Sequence, residues 1–228
     1  MLLLRQAWTV ALKDLRSELR TKESLNSAGG FALVILVLFS FVVDPAETEM
    51  LYAISGGLLW LVFAFAGVLI LNRSFAREQA NDCLDALIAS PLSPAALMLG
   101  KSIAGFVLLL IVELPCLPVF GGLYSLSRWS SHWPELIGVV MLGTWGMTVI
   151  GTVFSALTVN LRLRELMLPM LVYPLLIPVL IGSMKLCSVF ISGETINGDD
   201  AIWLRLLVGF DIIFTSLALV LADDVLVS

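Results

Sequence analysis

Three ionisable side chains stand where charge is costly. Glu113, Lys185 and Asp211 each interrupt a long apolar run. A charge at the centre of a membrane helix costs about 2.5–3.5 kcal/mol on insertion scales, so each is a candidate functional group. Glu113 and Asp211 fall near the middle of their runs, and Thr215 follows Asp211 by one helical turn. Two roles fit them: a polar element of a central path or conformational switch, or a protonated or hydrogen-bonded carboxyl packed between helices. Lys185 lies about 9 Å from the outer end of its run at helical rise. Its stem can carry the ammonium to the interface, so a structural role is expected.

Other chemistry is thin. The only histidine, His132, lies in Arg128-Trp-Ser-Ser-His-Trp133. Tryptophans at a bilayer edge form an aromatic belt, and one histidine finds no second ligand in this chain, so His132 is expected to belong to that belt rather than to a ligand site. Cys83, Cys116 and Cys187 form no C-x-x-C pair and are expected to be structural thiols. Gly100-Lys101-Ser102 looks like the end of a phosphate loop, but the glycine such a loop needs five positions before Gly100 is Ala95. There is no histidine cluster, metal-ligand spacing or nucleophile–base pair. The expectation is a chain with no catalytic residue, no metal and no cofactor of its own.

The elements that must position these groups follow from composition. The 228 residues are 59% hydrophobic and 14% charged, with a mean hydropathy of +1.01. Soluble domains carry roughly 25% charged residues. A soluble fold of this size has no core large enough for so much apolar surface, whereas lipid can take the place of a core. Soluble enzymes, disordered chains, disulfide scaffolds and nucleic-acid binders are thereby excluded. Six apolar spans can be drawn, at roughly 25–43, 51–72, 102–124, 136–159, 166–190 and 204–222. The expected fold is all-α: a single polytopic membrane domain over residues 1–228, without a cleavable signal.

Before the first span, Leu4, Trp8, Ala11, Leu12, Leu15 and Leu19 repeat at helical spacing, with Lys13, Arg16 and Arg20 on the other side. This pattern predicts an amphipathic helix over 3–24, lying in the membrane–water interface. Ten of the thirteen Lys and Arg residues fall in the N-terminal segment, the 73–101 connection and the 160–165 connection. An even number of spans puts these on one side, and the positive-inside rule makes it the cytoplasm, with both termini there.

The 73–101 connection is too regular for a loop. Glu78, Asp82 and Asp85 share one face of a helix, Leu84, Leu87 and Ile88 lie on the other, and Pro91 and Pro94 stop it. The pattern predicts a short cytoplasmic helix. Its acidic stripe suits a partner of complementary charge or a merely solvated face. Within the spans, Pro115 and Pro118 should kink or break the third, and Pro169, Pro174 and Pro178 the fifth. Hinge and packing roles both fit these prolines. Gly138, Gly143, Gly146 and Gly151 in the fourth span suit close helix contact, within the subunit or across a dimer.

Two stretches carry a resemblance. Phe75-Ala-Arg-Glu-Gln-Ala-Asn-Asp-Cys-Leu-Asp-Ala-Leu-Ile-Ala-Ser-Pro-Leu-Ser-Pro94 resembles the region after the second span of CcmB proteins, and is shared more loosely with other ABC-2-type permeases. Leu166-Met-Leu-Pro-Met-Leu-Val-Tyr-Pro-Leu-Leu-Ile-Pro-Val-Leu-Ile181 is similar to that family's proline-studded fifth span. The resemblance covers nearly the whole chain. It implies the membrane subunit of a bacterial inner-membrane ABC complex for cytochrome c maturation. The implied partners are a CcmA-like ATPase that binds ATP, a CcmC-like haem-handling protein, a small CcmD-like protein and a CcmE-like haem chaperone, with two copies of this chain in the complex. ATP hydrolysis would be linked to release of the haem-loaded chaperone on the periplasmic side, haem being handled by the complex. By position, Arg77, Glu78, Asp82, Leu84, Asp85 and Leu87 would belong to a coupling helix over 75–90 that meets the ATPase. The alternatives are an ABC-2-type permease for a lipid, glycan or drug, and an ion-coupled secondary transporter using Glu113 and Asp211.

Overall fold

The computed structural model describes residues 2–42, 48–75, 92–124, 126, 128–158 and 164–227. The described residues fold into helices alone. They are α1 (Leu2–Thr21), α2 (Glu23–Val42), α3 (Thr48–Leu71), α4 (Pro94–Leu123), a 3-10 turn (Trp129–His132), α5 (Trp133–Thr158), α6 (Arg164–Ile191), α7 (Asp200–Val220) and α8 (Ala222–Val227). Six of them, α2 to α7, are long and apolar enough to cross a membrane, as the hydropathy pattern predicts. The segment predicted as a coupling helix, with Arg77, Glu78, Asp82, Leu84, Asp85 and Leu87, lies outside the described residues.

The bundle is layered by burial. In α5, 67% of the apolar stretch is buried inside the protein, against 17% in α2 and in α7. Thus α5 is the axis, packed on α4, α6 and α7, while α2 and α7 turn most of their surface outward. The glycines of α5 explain how it can be central. A Cβ at Gly143 would collide with the Trp60 ring and the Ser183 hydroxyl, one at Gly151 would meet Leu71, and one at Gly146 would meet Asp211. These contacts are all within the subunit. Gly138 faces open space. Two tyrosines then tie helices together through carbonyls: Tyr124 donates to Leu36 at 3.1 Å and Tyr173 to Ala64 at 3.2 Å.

One expectation is corrected and another is narrowed. The third span does not begin near Ser102. Helix α4 starts eight residues earlier, at Pro94. Proline is well suited to the first helical position, where its missing N–H leaves nothing unpaired. Ser93 caps the helix by accepting a hydrogen bond from the Ala96 N–H at 3.2 Å. So Pro94 opens a helix where the pattern had it closing one. Of the kink or break expected at the prolines of α4 and α6, the break does not occur, and both helices run on continuously. Each proline removes one backbone donor. A full break would strip a turn of its hydrogen bonds in a region where lipid offers no replacement.

Helix α1 divides its apolar residues between two surfaces. Ala7, Val10 and Ala11 are buried against α4. Gly100 permits this approach, since a Cβ there would lie 2.6 Å from the Ala7 carbonyl oxygen. Leu4, Trp8 and Leu19 remain exposed, about a quarter-turn around the helix from that contact and next to the basic face of Lys13, Arg16 and Arg20. The corner into α2 is formed by Lys22, a residue other than glycine at φ +55°. Glu18, 3% exposed, locks the corner. Its carboxylate accepts from the Ser24 N–H at 2.7 Å, the Ser24 hydroxyl at 3.1 Å and the Leu25 N–H at 3.3 Å. It thereby satisfies free donors in the first turn of α2. At the same end of the bundle, Val10, Phe75, Leu97, Met98, Ala156 and Ala222 form one small core. The first and last described helices therefore meet on the same side, as an even span count requires.

Candidate functional site

Two polar sites are built into the bundle, one at mid-depth and one at the end where α1 and α8 meet. At mid-depth, Glu113 projects from α4 and is fully buried. Its Oε2 accepts a hydrogen bond from the Thr144 hydroxyl of α5. Its Oε1 has no hydrogen-bond partner among the described residues. Asp211 on α7 is 8% exposed, and neither of its carboxyl oxygens has a partner among the described residues. Thr215 is therefore not bonded to Asp211, and its hydroxyl accepts instead from the Trp145 indole N–H at 3.0 Å.

The two carboxyls do not form a pair. Glu113 meets α5 at Thr144 and Asp211 meets it at Gly146. Two residues are about 200° of helical rotation, so the carboxyls approach α5 from opposite sides. Gly143 and Gly146 leave the room that Ser183 and Asp211 occupy. Ser183 Oγ and Thr152 Oγ1 are further buried polar atoms without a described partner. Beside Ser183, the Trp60 indole donates to the Cys187 thiol at 3.2 Å. Cys116 and Cys187 are free thiols, and Cys83 lies outside the described residues. The arrangement around α5 is thus a set of single polar groups on separate helix contacts, with spare acceptors on Glu113 and Asp211.

The second site is centred on Lys101. Its side chain is completely buried, and its ammonium pairs with Asp14 of α1 at 3.1 Å. The same ammonium donates to the Ser74 carbonyl just beyond α3 and lies 4.6 Å from the centroid of the Phe75 ring. Three elements are therefore joined at one cation: α1, the end of α3 and the second turn of α4. An exposed ion pair between Arg73 and Glu23 at 2.7 Å adds the start of α2 to the same end. Residues 76–91 begin directly after Phe75 and end just before the Ser93 cap. One root of the predicted docking segment, Phe75, is therefore part of this knot, and the other leads into the cap of the helix that carries Lys101.

The other candidates are placed as follows. Pro115 and Pro118 are inside α4, about half a turn and one and a half turns after Glu113. Pro169, Pro174 and Pro178 are inside α6. Lys185 is exposed on α6. His132 ends the 3-10 turn, with Nδ1 3.7 Å from Glu135 and its ring 6.0 Å from that of Phe190.

Residues 5–224 match the family model described as CcmB protein. The chain belongs to the CcmB family. It is similar to the heme exporter protein B of Rhodobacter capsulatus, with 33% identity over 76% of this chain and 78% of the relative. Against the heme exporter protein B of Paracoccus denitrificans the identity is 34%, over 75% of this chain and 77% of the relative. Against that of Pseudomonas aeruginosa it is 30%, over 88% and 87%. A CcmB-family chain is a membrane permease-type subunit, which agrees with the six spans. Sequence reasoning missed Lys101, Asp14 and Glu18. The signal for Lys101 was present: a lone lysine between Gly100 and Ser102, at the border of an apolar run. It was read as a broken phosphate motif and counted as a loop charge.

Proposed function

We propose that this CcmB-family chain is the membrane subunit of an ATP-driven complex that handles haem during cytochrome c maturation. The family match over residues 5–224 carries the proposal. ATP is bound and hydrolysed by a CcmA-like partner. Haem is handled by CcmC-like, CcmD-like and CcmE-like partners on the periplasmic side. The chain resides in the bacterial inner membrane. The end holding α1, α8 and the Lys101 knot faces the cytoplasm, because the basic residues of α1 gather there.

In this scheme residues 75–90 take the push of the ATPase through Glu78, Asp82 and Asp85. A push on that segment reaches Phe75 and Ser93, and the Lys101 knot passes it to α1 and α4 together. Helix α4 carries it inward to Glu113 and its contact with α5. Charge reversal of Glu78, Asp82 and Asp85 together is expected to detach the ATPase from the tagged chain in a mild-detergent pulldown. Undiminished copurification with coupled ATP hydrolysis would rule out this docking surface. His132→Ala is expected to leave cytochrome c maturation intact, since one histidine beside Glu135 supplies no axial pair.

A further inference from the structure

A groove of about 730 Å³ opens on the outside of the bundle where α2, α3 and α6 meet the start of α7. That is within the size range of small-ligand sites. Its lining changes character along its length. The deep part is apolar, with Leu58 and Leu61 beside Gly57. Lys185 follows, about 9 Å inside the end of α6 at helical rise. The rim holds Glu194, after α6, and Asp200, at the start of α7. Lys185 makes no ion pair or hydrogen bond with another described residue. The serines beside it are already engaged: Ser188 accepts from the Gly56 N–H at 3.1 Å, and Ser192 donates to the Ser188 carbonyl at 2.8 Å.

An unpaired ammonium on a lipid-facing helix calls for an anion from outside the chain. Nearer the surface stand two carboxylates, Glu194 and Asp200, the second of which accepts from the Asn197 N–H at 3.2 Å through one oxygen and keeps the other for a cation. Apolar chain, then phosphate, then amine is the order of groups in a zwitterionic phospholipid as it stands in a leaflet. We propose that this groove binds one phosphatidylethanolamine-type lipid of the surrounding bilayer. Its acyl chain lies along Gly57 and Leu61, its phosphate on Lys185 and its ammonium between Glu194 and Asp200. A primary ammonium donates hydrogen bonds to carboxylates and a trimethylated one cannot, so the rim selects ethanolamine over choline headgroups.

The test is retention of lipid by the full-length chain from equimolar phosphatidylethanolamine, phosphatidylcholine and phosphatidylglycerol, read by native mass spectrometry after partial delipidation. Wild type is expected to keep one phosphatidylethanolamine, preferred about tenfold over phosphatidylcholine, as one charge-assisted hydrogen bond implies. Lys185→Gln should lower retention about tenfold, and Lys185→Arg should keep it. Glu194→Gln with Asp200→Asn should abolish the preference between ethanolamine and choline lipids. Gly57→Leu provides a variant independent of charge. No atom lies within 4 Å of a Cβ built there, so the side chain enters the groove without disturbing the bundle and should exclude the lipid. Equal retention of all three lipids by wild type, preference for phosphatidylglycerol, or undiminished retention in Gly57→Leu would each overturn the proposal.

Discussion

Lys101 shows how much one side chain can organise. A buried ammonium is stable only if its charge is matched and its donors are used. Here Asp14 and the Ser74 carbonyl supply that match from two other elements. Asp14→Asn removes a counter-charge from the buried ammonium. The expected cost is about 3 kcal/mol, the lower end for removing one partner of a buried pair. The double variant Asp14→Asn with Lys101→Met should lose less than the two single variants summed, because no orphan charge remains. Thermal unfolding of the purified chains in detergent measures both. Thr144 makes a smaller prediction of the same kind. Thr144→Val removes the one hydrogen bond described for Glu113 and should destabilise by about 1–3 kcal/mol, whereas Thr144→Ser should stay near wild type. Little of this was legible in the sequence. Glu113 stood out as a carboxylate in an apolar run, but its partner is 31 positions away. Asp14 and Lys101 are 87 positions apart, and no local pattern joins them.

At the scale of elements, the sequence was a better guide. Long apolar runs must become helices in a bilayer, because lipid offers the backbone no other partner. The six spans were therefore readable to within a few residues at most ends. The large miss was the start of α4, where Ser93-Pro94 has two meanings. Proline after a helix and proline opening one look alike until the cap is seen. The small residues of α5 were legible as contact points, but not their partners. One contact is testable at this scale. Gly100→Val would drive a side chain into the Ala7 carbonyl and Val10. Backbone cannot yield as a flexible side chain can, so α1 should lift from α4. Spin labels on exposed sites of the two helices should then report a longer and broader distance distribution than in wild type. Unchanged distances would mean that α1 is held by Lys101 and Asp14 rather than by close packing.

For the whole molecule, the basic residues carry the proposed polarity of the bundle. The small core of Val10, Phe75, Leu97, Met98, Ala156 and Ala222 supplies an independent reason to place α1 and α8 together. A membrane-impermeant thiol reagent applied to intact spheroplasts should therefore leave cysteines at positions 3 and 224 equally unlabelled, and should label one at position 131. Labelling at position 3 or 224 would reverse the assigned polarity. The same core has a consequence for anyone building tools from this protein. Affinity tags and fluorescent fusions are habitually put on terminal helices, yet here α1 and α8 lie at the same end of the bundle as Phe75 and the start of α4, which flank residues 76–91 in sequence. If the proposed ATPase docks on residues 76–91, a bulky domain fused to α1 or α8 competes with it for space and mimics a docking defect. A reporter inserted near Ser131, at the opposite face, would leave that approach clear.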